Sequence, residues 1–324
     1  MKPNLRYRPP RGSQILGVGS WQPECVVTNE ELSTKLDTSD EWIRQRVGIV
    51  ERRYAQADES LVDMAVRAGK NALLDAGISP DLVDTVIVSN CTMPAQIPNA
   101  AARVAYQIGA HGAGAFDLNA GCSGFCYGLA VGSDLIRAAS SRYALVIGAE
   151  KLTDFVNPLD RTTAVIFADG AGAVLIGPSK QTHIGPVVWG SAGEHADTLR
   201  INEEGYVQQS GSTVFRWAIT KMPSAAVGAL DAVGLTAKSA DVLLLHQANL
   251  RIIKATEKTL RAEGLRDDVI VADDIQHSGN TAAASIPIAL DHMRKQSQLK
   301  SGDIVVAVAA GAGLTYAGQV LIAP

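Results

Sequence analysis

The chain has 324 residues, of which 47% are hydrophobic and 19% charged, and its formal net charge is −4. This balance supports a sizeable buried core and excludes a disordered chain; Lys and Arg are spread along the sequence, so nothing electrostatic points to nucleic acid or a membrane surface as partner. Apolar runs such as Ala144–Ala149 and Ile304–Ala310 are strand-length, well short of the roughly 20 residues that span a bilayer.

The start, Met1–Ser13, is basic and proline-rich without the apolar core of a signal peptide, and reads as a flexible lead-in. From 14 onward, short β-rich runs alternate with longer helical ones, the pattern of an α/β protein. Over 14–180 the predicted elements are strand Thr85–Asn90, helix Pro98–Ile108, strand Ala115–Asn119, helix Ser123–Ala139, strand Tyr143–Gly148 and strand Ala164–Ile176. The polar stretch Glu194–Ser212 is expected to be a surface loop between two halves. Over 181–324 follow strand Asp241–Leu245, helix Leu250–Glu263, strand Val269–Ala272, helix Thr281–Lys295, strand Asp303–Val308 and strand Tyr316–Ile322. The same order occurs twice, which predicts a duplicated β-α-β-α-β-β unit whose halves pack as one rigid body.

Cys25, Cys91, Cys122 and Cys126 show neither metal-ligand spacing nor the density of a disulfide scaffold. The expectation is a reducing cytoplasm, no metal, and a thiol free for chemistry. Cys122 lies in Asn119-Ala120-Gly121-Cys122-Ser123-Gly124, between a predicted strand and a helix, an elbow similar in logic to the one that presents a hydrolase serine. A thiol at a helix N-terminus is expected to have a lowered pKa. The alternative is a small packing cysteine, which is the reading of Cys126 one turn later.

Asn280 follows Gly279 and opens the corresponding helix of the second half, as Cys122 follows Gly121 in the first. Alone it reads as an N-cap. His246 ends a predicted strand and alone reads as structural. All three nevertheless fall where a strand hands over to a helix, the edge at which open α/β sheets place their ligands. That coincidence makes Cys122, His246 and Asn280 the candidate catalytic residues.

Around these residues the chain resembles the thiolase superfamily, and within it the β-ketoacyl-acyl carrier protein synthase III family, which starts bacterial fatty-acid synthesis. The likeness runs from Ile15 to Ile322. It is carried by Asp37-Thr38-Ser39-Asp40-Glu41-Trp42-Ile43 with Arg46, the Cys122 elbow, Asp160-Arg161, Phe167-Ala168-Asp169-Gly170-Ala171-Gly172, His246-Gln247-Ala248-Asn249-Leu250-Arg251-Ile252-Ile253, and Gly279-Asn280-Thr281-Ala282-Ala283-Ala284-Ser285. The resemblance implies a duplicated five-layered α-β-α-β-α fold, a homodimer, and a Cys-His-Asn triad at Cys122, His246 and Asn280. It implies backbone N–H groups of Cys122 and Ala312 as oxyanion donors. It also implies that Trp42 stacks on the adenine of coenzyme A, that Arg46 and Arg161 meet its charged portion, and that Thr38, Phe215, Ala248 and Asn249 line the pantetheine path. Without the resemblance, Trp42 and Arg46 read as a packing pair on a helix face. Arg216, Arg251 and Lys258 match the basic patch that receives the acidic carrier protein.

The implied reaction loads an acyl group from acyl-coenzyme A onto Cys122 and condenses it with malonyl-acyl carrier protein, with coenzyme A thioester as substrate and no cofactor. Acyl transfer between two sulfurs needs a thiolate and donors for the developing oxyanion. Decarboxylation of malonyl generates the carbanion itself, so His246 and Asn280 are expected chiefly to stabilise an enolate, with a further tuning of the Cys122 thiol by His246 left open. Two positions depart from acetyl-selective members: Ile97 stands where they have a phenylalanine that reaches the partner's acyl pocket, and Ala310 replaces an aromatic. Both remove bulk, so primers longer or more branched than acetyl are expected. The rival readings are a Cys-His-Asn hydrolase, a polyketide-priming synthase or acyltransferase on the same fold, and a non-catalytic partner subunit.

Overall fold

The computed structural model describes residues 12–324. Residues 1–11 of the expected lead-in lie outside the described residues, and its last two belong to a strand instead: Gly12 and Ser13 open β1 (Gly12–Trp21), with Ser13 buried against Ser133. The first sheet contains β1, β2 (Thr85–Ser89), β3 (Gly114–Leu118), β4 (Ala144–Lys151) and β5 (Asp169–Ser179), in the order β1-β5-β4-β2-β3. The second contains β6 (Val188–Ser191), β7 (Val242–Leu245), β8 (Ile270–Val271), β9 (Ile304–Gly311) and β10 (Thr315–Ile322), in the order β6-β10-β9-β7-β8. Strand for strand, the second sheet repeats the first. The inner pairs β2/β3, β2/β4, β7/β8 and β7/β9 are parallel, and the pairs β4/β5, β1/β5, β9/β10 and β6/β10 antiparallel.

The helices that pack on these sheets or line the cleft described below are α1 (Asp40–Val47), α2 (Leu61–Ala76), α3 (Ala100–Ile108), α4 (Gly124–Arg137), α5 (Gly211–Asp231), α6 (Leu250–Ala262) and α7 (Ser285–Lys295). Because both faces of both sheets are covered, the central strands are continuous apolar runs. Their period of two still sorts the side chains. Val86, Val88, Leu145 and Ile147 face α2 and α3, whereas Ile87 and Val146 face a central layer with Phe125 and Leu129 of α4 and Ile286 and Leu290 of α7. In the second sheet Val242, Leu244 and Val305 face that same central layer, while Leu243, Leu245, Val306 and Val308 face Met222 of α5 and Ile252 and Ile253 of α6. The result is the five-layered α-β-α-β-α arrangement. Each such side chain contributes about 1.5–3 kcal/mol on burial, so a one-residue slip of β2 or β7 would exchange its two apolar faces and is strongly disfavoured.

Several elements differ from the sequence expectation for local reasons. The strand expected over 164–176 begins instead as a helical turn, Arg161–Ala164. The Asp160 carboxylate caps it, accepting from the Thr162 N–H at 2.9 Å and the Thr163 hydroxyl at 2.7 Å, and β5 starts only at Asp169. The helix expected from Thr281 starts at Ser285, after a tight turn over Ala282–Ala284. Glu194–Ser212 is not a simple surface loop: it holds a hairpin, Leu199–Ile201 with Val207–Gln209, and the first residues of α5. Among the described residues no helix is long and apolar enough to cross a membrane.

Candidate active site

Cys122 sits between β3 and the start of α4, in an elbow clamped by the other half of the chain. A Cβ on Gly311 would lie 2.5 Å from the Cys122 nitrogen and 2.9 Å from that of Ser123, so only glycine lets the turn after β9 press against the elbow. The Thr315 hydroxyl donates to the Ala120 carbonyl at 2.8 Å and the Ser123 hydroxyl to the Thr315 carbonyl at 3.2 Å, which fixes that approach. The N–H groups of Cys122 and Ala312 consequently both reach the Cys122 sulfur. These are the two N–H groups that the sequence reading expects as oxyanion donors.

His246 directly follows β7 and is buried, its N–H donating to the Val308 carbonyl at 2.8 Å. Its Nδ1 lies 2.7 Å from the Ser285 hydroxyl oxygen, which also accepts the Gln247 N–H at 3.3 Å. That hydroxyl can donate its own proton to Nδ1, and the tautomer compatible with this bond carries the ring proton on Nε2. Gln247 locks the strand end, donating to the carbonyls of Leu245 at 2.6 Å and Ala272 at 3.3 Å and accepting from the Ile275 N–H at 2.9 Å. Asn280 is tied by backbone bonds to Ile166 and Ala168, each at 2.9 Å, and its Oδ1 accepts the Ala282 N–H at 2.9 Å. With Oδ1 committed, Nδ2 is the end of the amide available as a donor.

Cys122, His246 and Asn280 line one cleft of about 560 Å³. Its electrostatics correct the expectation of an acidic thiol. Burial, with the charge of Glu150 as the next contribution, pushes the Cys122 thiol up to about 12, and the two N–H groups only partly offset this. Being near a helix N-terminus does not outweigh removal from water. Cys126, as expected, is a packing residue, buried in the central layer. Burial also lowers His246 to about 3. Both groups are therefore neutral at rest, a thiol and an imidazole lining one cleft.

The cleft opens between α1 and the start of α6, lined by Trp42, Arg46, Arg161, Phe215, Arg216, Ala248, Asn249 and Arg251 among others. The Arg161 guanidinium lies 5.0 Å from the centre of the Trp42 ring and donates to the Asp37 carbonyl at 2.7 Å. Arg251 covers Phe215 in the same way at 5.2 Å. Asn249 caps α6, accepting the Arg251 N–H at 2.9 Å, and donates to the Arg46 carbonyl at 3.3 Å, so its side chain is engaged within the protein. Lys258 is exposed two turns along α6 from Arg251, beyond the cleft lining. Thr38 does not line the cleft, and its buried hydroxyl has no partner among the described residues. Ala310 lines the cleft, whereas Ile97 is 89% exposed and outside it. The sequence reading missed Ser285, the group on His246, and the apolar wall of Leu199, Val214, Trp217, Met222 and Leu314. Part of that wall comes from the polar 194–212 stretch, whose composition concealed the inward face of its hairpin.

With this geometry in hand, the relatives are consistent with one another. Residues 116–193 match the model of the 3-oxoacyl-[acyl-carrier-protein] synthase III family, and residues 230–322 match its C-terminal model. The β-ketoacyl-[acyl-carrier-protein] synthase III of Streptomyces glaucescens is 43% identical, over 98% of this chain and 99% of its own. The chain belongs to the β-ketoacyl-acyl carrier protein synthase III family. The mycobacterial β-ketoacyl-[acyl-carrier-protein] synthase III of Mycobacterium tuberculosis is 44% identical over 97% of this chain and 96% of its own. Among solved structures, the priming β-ketosynthase of a polyketide biosynthetic pathway superposes with a TM-score of 0.95 at 38% identity, covering 99% of each chain. Membership makes the protein an acyltransferase that performs a decarboxylating condensation on the duplicated thiolase-like fold, and sets aside the hydrolase and non-catalytic readings.

Proposed function

We propose that Cys122 carries the primer acyl group and that His246 and Asn280 hold the enolate formed from malonyl-acyl carrier protein. The observation that carries this reading is the convergence, in one cleft, of a thiol with two N–H donors and of two further side chains each left with a donor. Cys122, giving up its proton as it attacks, bonds to the thioester carbonyl of an acyl-coenzyme A, whose own sulfur leaves with a proton. Malonyl then loses carbon dioxide, and the electron pair released becomes an enolate whose oxygen accepts from His246 Nε2 and Asn280 Nδ2. The enolate carbon attacks the acyl-Cys122 carbonyl, a carbon–carbon bond forms, and the Cys122 sulfur is released to recover its proton. Decarboxylation supplies the carbanion, so the scheme requires neither a strong base nor a resident cofactor.

In this reading Trp42, Arg46 and Arg161 take the nucleotide end of coenzyme A, with Phe215, Ala248 and Asn249 along the pantetheine and Thr38 beside it. Arg216, Arg251 and Lys258 meet the acidic carrier protein. The enzyme acts as a cytoplasmic homodimer in which Ile97 serves the partner's pocket. The small Ala310 and the apolar wall around it support a primer longer or more branched than acetyl. Likeness to a polyketide-priming synthase keeps a second pathway in view, which the choice between fatty-acid and polyketide carrier proteins distinguishes. The test is release of carbon dioxide from malonyl-acyl carrier protein in the presence of competing acyl-coenzyme A primers. Primer-dependent release with branched or medium-length chains ahead of acetyl is expected. Release without primer would contradict the reaction order, and acetyl preference would contradict the pocket argument.

A further inference from the structure

Glu150, near the end of β4, is a fully buried carboxyl that the scheme above does not use. Its partners are neutral donors: the Thr92 hydroxyl at 2.5 Å, the Cys91 N–H at 3.1 Å and the Cys91 thiol at 3.3 Å, from the loop after β2, and the Ala283 N–H from the turn that follows Asn280. The same Thr92 oxygen accepts the Lys151 N–H at 2.9 Å, which holds the loop to β4. Among the described residues no cation answers the carboxyl. The neighbouring Lys151 ammonium is turned away to the Gln56 carbonyl at 3.1 Å and to Asp154 at 3.6 Å. Asp169, across the sheet from Lys151, is taken up by Thr153 and Ala55, and Ala282–Ala284 offer nothing that titrates. The titratable groups facing Glu150 are thus the thiols of Cys91 and Cys122.

A buried acid without a counter-charge is costly to keep for stability alone, and this one sits where the Cys122 elbow, the Asn280 turn and the end of β2 meet. Gly148, two residues before it, touches the Ala283 carbonyl so closely that a Cβ there would lie 2.3 Å from it. We propose that Glu150 is a positioning residue for the reaction, tying the loop after β2 to the Asn280 turn and regulating through its charge how readily Cys122 gives up its proton. Burial raises the carboxyl to about 7, offset in part by Thr92 and Cys91, so its charge appears over the neutral range. A charge so placed opposes thiolate formation and favours the neutral acyl-cysteine once it forms. The role assumes the proposed use of Cys122 as acyl carrier, yet it can be read without any condensation.

The experiment measures alkylation of Cys122 by iodoacetamide against pH, quantified on the Cys122 peptide so that Cys91 and Cys126 do not contribute. In the native enzyme the logarithm of the rate climbs with pH and bends to a lower slope near pH 7, where Glu150 becomes charged. In Glu150→Gln the bend disappears and alkylation above pH 7 is about tenfold faster, as expected for removing one nearby like charge. Thr92→Val, which keeps the carboxyl but removes a donor to its charged form, shifts the bend to higher pH, and serves if Glu150→Gln does not fold. Unchanged profiles in a folded Glu150→Gln, or an unmoved bend in Thr92→Val, overturn the proposal. Because the probe needs neither coenzyme A nor carrier protein, its outcome is independent of whether the condensation reading holds.

Discussion

The elbow at Cys122 and the turn at Asn280 occupy equivalent edges of two equivalent sheets, but the chain leaves them differently. Both residues follow a glycine of positive φ, +54° at Gly121 and +67° at Gly279, a conformation that side-chain-bearing residues disfavour. After Cys122 the helix begins almost at once, at Gly124. After Asn280 a tight turn intervenes and the helix begins at Ser285. The added turn supplies the Ala282 N–H that fixes the amide and the Ser285 hydroxyl that orients His246. In the proposed mechanism one edge presents a nucleophile against backbone donors, and its counterpart holds two neutral side-chain donors. A repeated architecture thus provides two matching corners, and local differences of a few residues give them separate tasks.

Substitutions can break this comparison. The largest effect is expected for Cys122→Ala, which removes the acyl acceptor and with it all condensation above background. Gly311→Ala forces its methyl into the elbow and displaces the Ala312 N–H, so both acyl loading and condensation should fall by ~10²–10³, the usual cost of losing one oxyanion donor. Asn280→Asp can keep the bond from Ala282 but places a charge beside the enolate. Condensation should drop by ~10²–10³ while acyl loading of Cys122 stays near native, and stopped-flow measurement of the two half-reactions separates them; equal losses would show that the two corners do not divide the labour. Ser285→Ala frees the imidazole tautomer at the cost of one hydrogen bond, ~1 kcal/mol or about fivefold in condensation.

A smaller effect is thermodynamic. His246 is held at about 3 against an ordinary 6.5, so unfolding lets it take up a proton. The stability tied to its neutral form is complete above pH 6.5 and is lost as pH falls toward 3. In His246→Asn the denaturation midpoint should decline less steeply over that window, by at most about 1.36 kcal/mol per pH unit.

Much of the fold was legible because the central strands, buried on both faces, stand out as apolar runs such as Val242–Leu245 and Ile304–Ala309. The two turn-associated corners were legible because glycine precedes both Cys122 and Asn280. The hairpin at Leu199–Gln209 was not, since its polar residues mask a few inward apolar ones and its placement over the cleft depends on contacts distant in sequence. Helix α5 went unread beside it, as its start continues that polar stretch and it carries Pro223. Nor could the sequence weigh the helix N-terminus against burial at Cys122: the burial that decides the balance, and Glu150 which adds to it, arise only through the fold. Ser285 was quoted within a motif, but its bond to His246 spans 39 residues and has no local signal.

The central claim is that Cys122 alone carries the acyl group while the opposite corner acts afterwards. Intact-protein mass spectrometry after incubation with an acyl-coenzyme A, followed by mapping of the modified peptide, tests it most directly. The native chain and Asn280→Asp should each gain the mass of one acyl group on Cys122, and Cys122→Ala should gain none. An acyl group found on another residue, or retained in Cys122→Ala, would contradict the account.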